Sequence, residues 1–421
     1  MRDSYVRFGT IVVLLLGLAV LAEAAAPAQA AERELVLGMS AAFTGPSRGL
    51  GLELYRGSMA YFRHVNDTGG LYGRTIALRA MDDGYNPGPA ILNTIQLIES
   101  DDVLALFDYV GTPTVTRVLP LLKKFEERHI LLLFPFTGAE PQRRPPYDAL
   151  VFNLRASYLQ ETKALVDKLV SLGRSRIAVF YQVDAYGRSG WYGVQQALAA
   201  HGLSIAAEAT YRRGAGFAGS MAEQVRIIAK AQPDAVVSVG SYEACAAFTR
   251  DARDAGLTMP IANISFVGSQ NMVNLLHKAG EENHKDYSKG QIITQVVPSY
   301  EDLTLPVVAE YRQLMDRYAD TPLPEPAHAP GPEYVPLRYS FTSYEGFLNA
   351  KVLVEAMRAF GHAPTRDDMR QVLEHFTAGD IGMGSPVSFG PQRHQGLSTV
   401  YFTTVHEGAV VPIRNWAEWA K

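Results

Sequence analysis

Short apolar runs alternate with segments of helical periodicity along the first part of the chain. The apolar runs predict buried strands, and the intervening segments place apolar side chains three and four residues apart, as on one face of a helix. The predicted strands are 34–40, 75–81, 103–109 and 130–136, and the predicted helices are 54–66, 87–100 and 114–128. This alternation is typical of βαβ units that build a parallel sheet.

The same alternation restarts after the fourth strand and predicts a second α/β unit of similar design. Its predicted strands are 176–181, 204–211, 235–240 and 261–267, and its predicted helices are 160–172, 187–201, 218–231 and 243–256. A further strand at 291–298 follows a polar loop, and later come helices at 305–318 and 344–360 and β-like segments at 387–389 and 399–405. A chain of 421 residues is also too long for a single core.

The proline-rich stretch 320–336 interrupts this pattern. Proline fits neither a helix interior nor an inner strand, so the stretch is predicted to be a surface excursion. A proline-rich motif that binds a partner is the alternative.

The N-terminus has the three parts of a secretory signal peptide. Arg2 and Arg7 precede the apolar run 8–22, and an A-x-A sequence ends at Ala30. We expect residues 1–30 to be cleaved and the mature chain to be exported, without stable membrane insertion and without a lipid anchor, because no cysteine lies near the cleavage point. An uncleaved anchor is the alternative, but a run of 15 residues is shorter than the roughly 20 that span a bilayer.

The composition argues against several classes of function. Lys and Arg number 39 against 43 Asp and Glu, a net charge of −4, so no basic excess exists for binding nucleic acid. The single cysteine, Cys245, excludes a disulfide within the chain and a multi-cysteine zinc site.

Catalytic motifs find little support. The ten histidines include no i, i+4 pair, and neither a G-x-S-x-G elbow nor a phosphate-binding P-loop is present. The adjacent carboxylates Asp82 and Asp83 are interpreted as turn or cap residues. We therefore expect a protein that is not an enzyme and that has no metal ion and no cofactor.

Small and hydroxyl-bearing residues follow three strands of the first unit, in the loops 42–46, 111–114 and 136–139. In an open parallel sheet, ligands bind beyond the carboxyl ends of the strands. The first two loops also lead into helix N-termini, whose free N–H groups favour an anion such as a carboxylate. For a single loop, plain turn and N-cap chemistry is the alternative.

The second unit places aromatic and polar residues at the same kind of position. Tyr186 follows the strand 176–181, Tyr242 follows the strand 235–240, and Gln270 follows the strand 261–267. Aromatic faces with polar groups suit a lobe that closes on a small ligand. Ordinary half-buried tyrosines are the alternative.

The order of these motifs resembles the periplasmic substrate-binding proteins of the branched-chain amino acid type, the leucine-binding-domain family of ABC importers. The resemblance covers nearly all of 34–405. The segments that carry it are VLGMSAAFTGP (36–46), HVNDTGGLYGR (64–74), MDDGYNP (81–87), GTPT (111–114), TGAE (137–140), VFYQVDAYGRSG (179–190) and ISFVGSQ (264–270).

The resemblance implies a type 1 periplasmic binding fold. Two lobes, each a parallel-sheet α/β sandwich, would be joined by three hinge crossovers, with ligand held in the cleft between them. The N-terminal lobe would comprise 34–153 and 299–383, and the C-terminal lobe 154–297 and 385–415. The implied crossovers lie near 152–156, 296–298 and 383–387.

The resemblance also implies a ligand-binding set. The loops matching GTPT (111–114) and FTGA (136–139) would hold a ligand carboxylate, and the closing lobe would add its two tyrosines. An acidic residue that meets a ligand ammonium group in the family corresponds most plausibly to Gln270, which is neutral, so this chain departs from an ordinary α-amino acid binder at that point. Glu243 or Asp184 could substitute. The full predicted set is Phe43, Gly111, Thr112, Thr114, Thr137, Gly138, Ala139, Tyr186, Tyr242 and Gln270.

The sequence thus predicts a periplasmic solute-binding component that delivers a small organic ligand, an amino acid or a related carboxylate, to a membrane ABC permease. Two alternatives stay open. An exported sensor that reports ligand to a membrane receptor would share the fold and the cleft. A secreted α/β enzyme is the other, and it would have to turn its ligand over.

Overall fold

The computed structural model describes residues 34–325, 334–377 and 380–419. The predicted signal peptide, residues 1–30, lies outside the described residues, as do residues 326–333 of the proline-rich excursion. Among the described residues, no helix combines the length and apolarity needed to cross a membrane.

The first sheet has five parallel strands in the order β2-β1-β3-β4-β5. All five strands are parallel, so their carboxyl ends lie at one edge of the sheet, as the βαβ pattern predicts. The strand order reverses at β1, which lies between β2 and β3. The strands are β1 (Glu34–Ala41), β2 (Thr75–Asp82), β3 (Val103–Phe107), β4 (Leu132–Leu133) and β5 (Val151–Phe152).

The second sheet has seven strands in the order β12-β11-β10-β9-β8-β6-β7. The five strands from β6 to β10 are parallel, and the final hairpin adds two antiparallel strands at one edge. The strands are β6 (Ile177–Gln182), β7 (Glu208–Tyr211), β8 (Ala235–Val239), β9 (Ile261–Asn263), β10 (Gln291–Gln295), β11 (Tyr401–His406) and β12 (Ala409–Pro412).

Helices connect and cover the strands, which gives the two-sheet α/β fold that the sequence predicts. We call each sheet with its covering helices a lobe, the first lobe and the second lobe. The helices are α1 (Arg48–Asp67), α2 (Pro87–Glu99), α3 (Thr112–Lys124), α4 (Tyr158–Ser171), α5 (Ala185–Ala200), α6 (Ala222–Lys230), α7 (Tyr242–Asp254), α8 (Ser269–Asn283), α9 (Pro306–Arg317), α10 (Phe341–Phe360), α11 (Met369–Glu374) and α12 (Trp416–Trp419).

The two long helices α1 and α10 pack closely in the first lobe because each presents a glycine to the other. A Cβ on Gly57 would lie 1.7 Å from the carbonyl oxygen of Ser343, and one on Gly346 would lie 2.2 Å from that of Leu54. This contact fixes the start of α10, and with it Glu345, against the rest of the lobe.

Two chain segments run side by side between the lobes. The N–H of Asn153 donates to the carbonyl of His394 at 2.7 Å, and the N–H of Leu397 donates to the carbonyl of Leu154 at 2.8 Å. The ring of Phe389 stacks on Phe134, with centroids 5.7 Å apart, and so belongs to the core of the first lobe. The predicted lobe boundaries stay a prediction, and we propose that the third crossover lies near 394–400 rather than 383–387.

Several elements differ from the sequence-based expectation. The structure forms α8 where a polar loop was expected, because Met272, Val273 and Leu276 face inward beside the buried polar residues Gln270 and Asn271, which weaken the apolar signal. No strand forms at 387–389, where Ser388 makes only an isolated bridge to Thr377. The expected strand 130–136 shortens to two residues, and Phe134 just beyond it has a positive φ of 53°.

Candidate functional site

The carboxyl ends of the two sheets face each other across a cleft, and the lobes touch there. The rings of Phe136 and Phe266, one from each lobe, have centroids 5.3 Å apart. The N–H of Gly49 in the first lobe donates to the hydroxyl of Tyr242 in the second at 3.2 Å. The structure therefore shows the lobes closed on each other.

Two of the predicted loops converge on a pair of hydroxyl groups inside this cleft. The Oγ1 atoms of Thr112 and Thr137 lie 2.6 Å apart, and both side chains are fully buried. The N–H of Ala139 points at Thr137 Oγ1 from 3.3 Å. Helix α3 begins at Thr112, so its positive end lies at the hydroxyl pair.

Glycine is required at the turn before α3. Gly111 has a φ of 102°, and a Cβ there would lie 2.1 Å from Cε2 of Tyr85, whose ring covers this backbone. Gly138 has a similar relation to Tyr158, since a Cβ would lie 2.6 Å from Cδ1 of that ring. The predicted glycines thus let aromatic side chains approach the loop backbone.

Thr114 does not join this hydroxyl pair. Its hydroxyl lies 2.6 Å from the carbonyl oxygen of Val110 and 2.8 Å from that of Gly111, within the first turn of α3. The single hydroxyl hydrogen is donated to backbone carbonyls, which speaks against the predicted ligand contact and favours the turn-chemistry alternative.

Tyr158 is a site residue that the sequence reasoning missed. Its N–H donates to the carbonyl of Gly138 at 2.6 Å, and its buried hydroxyl makes no well-formed hydrogen bond with any described residue. Burial raises the pKa of Tyr158, and Arg155 together with the nearby hydroxyls of Thr112 and Thr137 oppose that effect. A neutral phenol beside two threonines can donate to a ligand oxygen.

Arg155 is the second residue that was missed. Its Cζ lies 4.6 Å above the ring of Phe136, and its Nη1 has no hydrogen-bond partner among the described residues. Its Nη2 lies 3.6 Å from Glu161 and its Nε lies 3.6 Å from Glu345. Burial alone would lower the pKa of Arg155, but the two carboxylates outweigh it and raise that pKa.

The signals for these two residues were weak but present. An arginine stands in the implied crossover 152–156, where it is the one charged residue, and a tyrosine opens α4 directly after a capping serine, Ser157. Neither position follows a predicted strand, so an argument from strand ends passes over both.

The three predicted aromatic residues occupy different parts of the cleft. Tyr186 is fully buried, with its ring 4.5 Å from Phe266 and 5.4 Å from Tyr158. Tyr242 bridges the lobes through its bond from Gly49. The backbone N–H of Phe43 donates to Asp82, while its ring is buried in the core.

Both the nitrogen and the oxygen of the Gln270 side-chain amide form hydrogen bonds within the protein. Its Nε2 donates to the hydroxyl of Tyr300 at 2.9 Å, and its Oε1 accepts the N–H of Phe341 at 3.1 Å. Both partners follow β10 in sequence and pack with the first lobe. These bonds speak against the predicted contact with a ligand ammonium group and assign Gln270 to the contact between the lobes.

A cavity of about 370 Å³ has Gly138, Ala139 and Tyr158 on one wall and residues of α5 on the other, and neither Thr112 nor Thr137 lines it. A larger groove of about 1620 Å³ lies at the opposite end of the second sheet, away from the cleft. Among the described residues, no group of three or more His, Cys, Asp or Glu side chains is placed to hold a metal ion.

Comparisons with known proteins bear on this arrangement. The sequence profile of a periplasmic binding protein family matches residues 34–409. A possible leucine/isoleucine/valine-binding protein from Rhodopirellula baltica has a similar solved structure, with 32% sequence identity, a TM-score of 0.80, and coverage of 92% of this chain and 98% of that chain. A substrate-binding periplasmic protein from Ralstonia solanacearum has 28% identity and a TM-score of 0.78, over 90% of this chain and 100% of that chain.

Curated relatives match over shorter stretches. An amino acid binding protein from Pseudomonas aeruginosa is 24% identical over 156 residues, which cover 37% of this chain. The alignment spans only 41% of that relative's own length.

Proposed function

From the premise that this chain belongs to the periplasmic binding protein family, we propose that it captures a small carboxylate-bearing solute between its two lobes and delivers it to a membrane ABC permease. The observation that carries the proposal is the buried hydroxyl pair of Thr112 and Thr137, with the unpaired hydroxyl of Tyr158 beside it, inside the closed cleft.

These groups form a set of donors that suits an anionic oxygen. The positive end of α3 favours negative charge by about 0.3–1 kcal/mol when exposed and up to about 2 kcal/mol when partly buried. A hydrogen bond from a hydroxyl to a charged group contributes about 1.5–3 kcal/mol. Arg155 at the base of the same cleft has Nη1 without a hydrogen-bond partner among the described residues, although Glu161 and Glu345 balance its charge.

Delivery to a permease is the finer part of the proposal. It is supported by the family and by the relative from Rhodopirellula baltica, which carries the name of a possible leucine/isoleucine/valine-binding protein. The motif at residues 1–30 supports export into the periplasm, where such a protein meets its permease.

Calorimetric titration of the mature chain, residues 31–421, with a panel of small carboxylates tests the capture of ligand. We expect at least one carboxylate to bind with a micromolar or lower dissociation constant. Absence of binding across amino acids, aromatic acids and short-chain acids would overturn the proposal.

A strain that lacks the gene tests delivery. Uptake of the labelled ligand should fall in that strain and should return when the gene is restored. Binding without any effect on uptake would favour the sensor alternative over import.

A further inference from the structure

Aromatic rings form the walls of the cleft around the hydroxyl pair. Phe266 lies at their centre, 4.5 Å from Tyr186, 5.3 Å from Phe136 and 6.0 Å from Tyr85. All four side chains are buried. A ligand that enters between the lobes therefore meets ring faces and edges, which favour a flat apolar group.

The carboxylates near the cleft are already engaged by donors of the protein itself. Asp82 accepts the N–H groups of Phe43 and Thr44 and the hydroxyl of Thr44. Asp184 accepts from Gln182 at 2.6 Å and from the N–H of Tyr186, and Arg213 lies 3.3 Å away.

The two carboxylates near Arg155 are no better placed for an ammonium group. Glu161 accepts the N–H and the hydroxyl of Ser265 and the hydroxyl of Thr294. Glu345 lies 3.6 Å from Arg155 Nε, so an ammonium group there would stand next to a guanidinium.

Glu243 and Gln270, the other two groups considered for that role, are also in use. Glu243 accepts the N–H of Phe217 at 3.0 Å, and Gln270 is held by Tyr300 and Phe341. An ammonium group carries three donors and costs free energy when it is buried without acceptors. Among the described carboxylates named here, Glu345 alone accepts no hydrogen bond, and it already lies 3.6 Å from the guanidinium of Arg155.

The polar groups near the cleft that still have an unused hydrogen are hydrogen-bond donors. They are the hydroxyl of Tyr158, Nη1 of Arg155 and the one hydroxyl hydrogen of the Thr112–Thr137 pair that is not used between them. Donors complement a carboxylate and oppose an ammonium group.

We infer that the ligand is a monocarboxylate with a ring or a similarly flat unsaturated group and without an ammonium group beside the carboxylate. This inference rests on the proposed function and narrows it. The carboxylate binds at the two threonines and Tyr158, and the ring lies against Phe266 and its aromatic neighbours.

Two matched pairs of compounds test the ammonium part by calorimetry on the mature chain. L-Phenylalanine and 3-phenylpropanoate differ only in the amino group, as do L-leucine and 4-methylpentanoate. We expect the acid without the amino group to bind at least about tenfold tighter in each pair, since a buried group without partners costs about 1–3 kcal/mol. 3-Phenylpropanoate should also bind more tightly than 4-methylpentanoate.

The outcomes separate this inference from the proposed function. Tighter binding by either amino acid would overturn the inference and leave carboxylate capture standing. Tighter binding by 4-methylpentanoate than by 3-phenylpropanoate would contradict the inference that the ligand carries a ring. If none of the four compounds bound, the inference would fail, and the proposed function would fall with it only if the wider carboxylate panel also failed.

A variant of the free hydroxyl adds a second measurement. Tyr158→Phe keeps the ring over Gly138 and should weaken 3-phenylpropanoate by about five- to fiftyfold without a change in melting temperature. Tyr72→Phe is the matched control, because the hydroxyl of the exposed Tyr72 bonds to the carbonyl of Met357 outside the cleft. Equal binding by parent and Tyr158→Phe would contradict the placement of the carboxylate.

Discussion

Residues of one type take different roles in the two loops at the base of the cleft. Thr112 and Thr137 hydrogen-bond to each other across two strand ends, whereas Thr114 bonds back to its own helix. The difference comes from position along α3: Thr112 is its first residue, and Thr114 can reach the carbonyls that precede the helix. Hydroxyl chemistry alone does not separate a ligand donor from a cap.

Thr137→Val should weaken ligand binding by about ten- to a hundredfold, because it keeps the shape and deletes a hydroxyl that serves the anion site. Calorimetry with the tightest ligand found measures the loss. The fold should survive, since valine has nearly the shape of threonine and fills the same buried position. A dissociation constant equal to that of the parent would make the loop a structural turn.

Thr114→Val is the matched control for that change. Its hydroxyl bonds only within the start of α3, so we expect a loss of about 1 kcal/mol in unfolding free energy and an unchanged dissociation constant. Denaturant unfolding measures the first and calorimetry the second. A large loss of affinity would return Thr114 to the ligand site.

Sequence reasoning reached part of the candidate site for a physical reason. The strand-end rule places loops correctly, so Thr112, Thr137 and Ala139 could be expected to meet. Arg155 and Tyr158 enter from the crossover and the start of α4, which no strand-end rule addresses. Gln270 lies at the start of α8, and its partners Tyr300 and Phe341 come from distant parts of the chain.

Helices from both lobes meet at one buried charged group. Glu161 on α4 and Glu345 on α10 lie on either side of Arg155, in the segment that connects the lobes. The positive charge of Arg143 also lowers the pKa of Glu345. Burial raises the pKa of Glu345 to about 7 from an ordinary value of 4.5, while Arg155 opposes the shift and Glu161 adds to it.

Glu345 should therefore make stability depend on pH. A carboxyl group whose pKa is higher in the folded state stabilises the fold fully below pH 4.5, and that contribution is lost as the pH rises through about 7. Glu345→Gln should reduce the fall in unfolding free energy across this window by up to about 1.4 kcal/mol per pH unit. Urea unfolding from pH 4.5 to 7.5 measures it.

Asp83→Asn should further reduce the fall of the unfolding free energy with rising pH, because burial also raises the pKa of Asp83 to about 7. The two effects should add, since Asp83 lies at the end of the second strand and bonds with Ser40 rather than with the Arg155 group. An unchanged slope in Glu345→Gln would show that Glu345 is ionised throughout this range.

At the scale of elements, the sequence predicts best where burial follows a simple period. The parallel strands β1, β6 and β8 are continuous apolar runs and lie where expected. Helix α1 begins at Arg48, several residues before the expected start at residue 54. The expectation was late because Gly49 and Gly51 have low helix propensity. The close approach of Gly51 to the carbonyl of Ala42 is a tertiary requirement, and the sequence period does not report it.

Across the whole molecule, the two lobes are held closed by polar contacts that involve no ligand. Tyr242 accepts from Gly49, Gln270 accepts from Phe341, and the hydroxyl of Tyr334, near the end of the proline-rich stretch, lies between Glu53 and Asn271. Tyr334 thus gives the end of that stretch a role that its composition did not reveal. Such contacts contribute to affinity by raising the population of the closed state.

Tyr242→Phe tests this coupling between closure and affinity. The change deletes the acceptor for the Gly49 N–H, a bond that contributes about 0.5–1.5 kcal/mol, so the dissociation constant should rise by about two- to tenfold. Because the hydroxyl acts on closure rather than on the ligand, two ligands of different size should lose the same factor. X-ray scattering should show a smaller radius of gyration for the parent with ligand than without it, and a ligand-free Tyr242→Phe protein at least as open as the ligand-free parent. A loss confined to one ligand would instead show that Tyr242 contacts the ligand directly, and an unchanged radius at saturation would contradict closure.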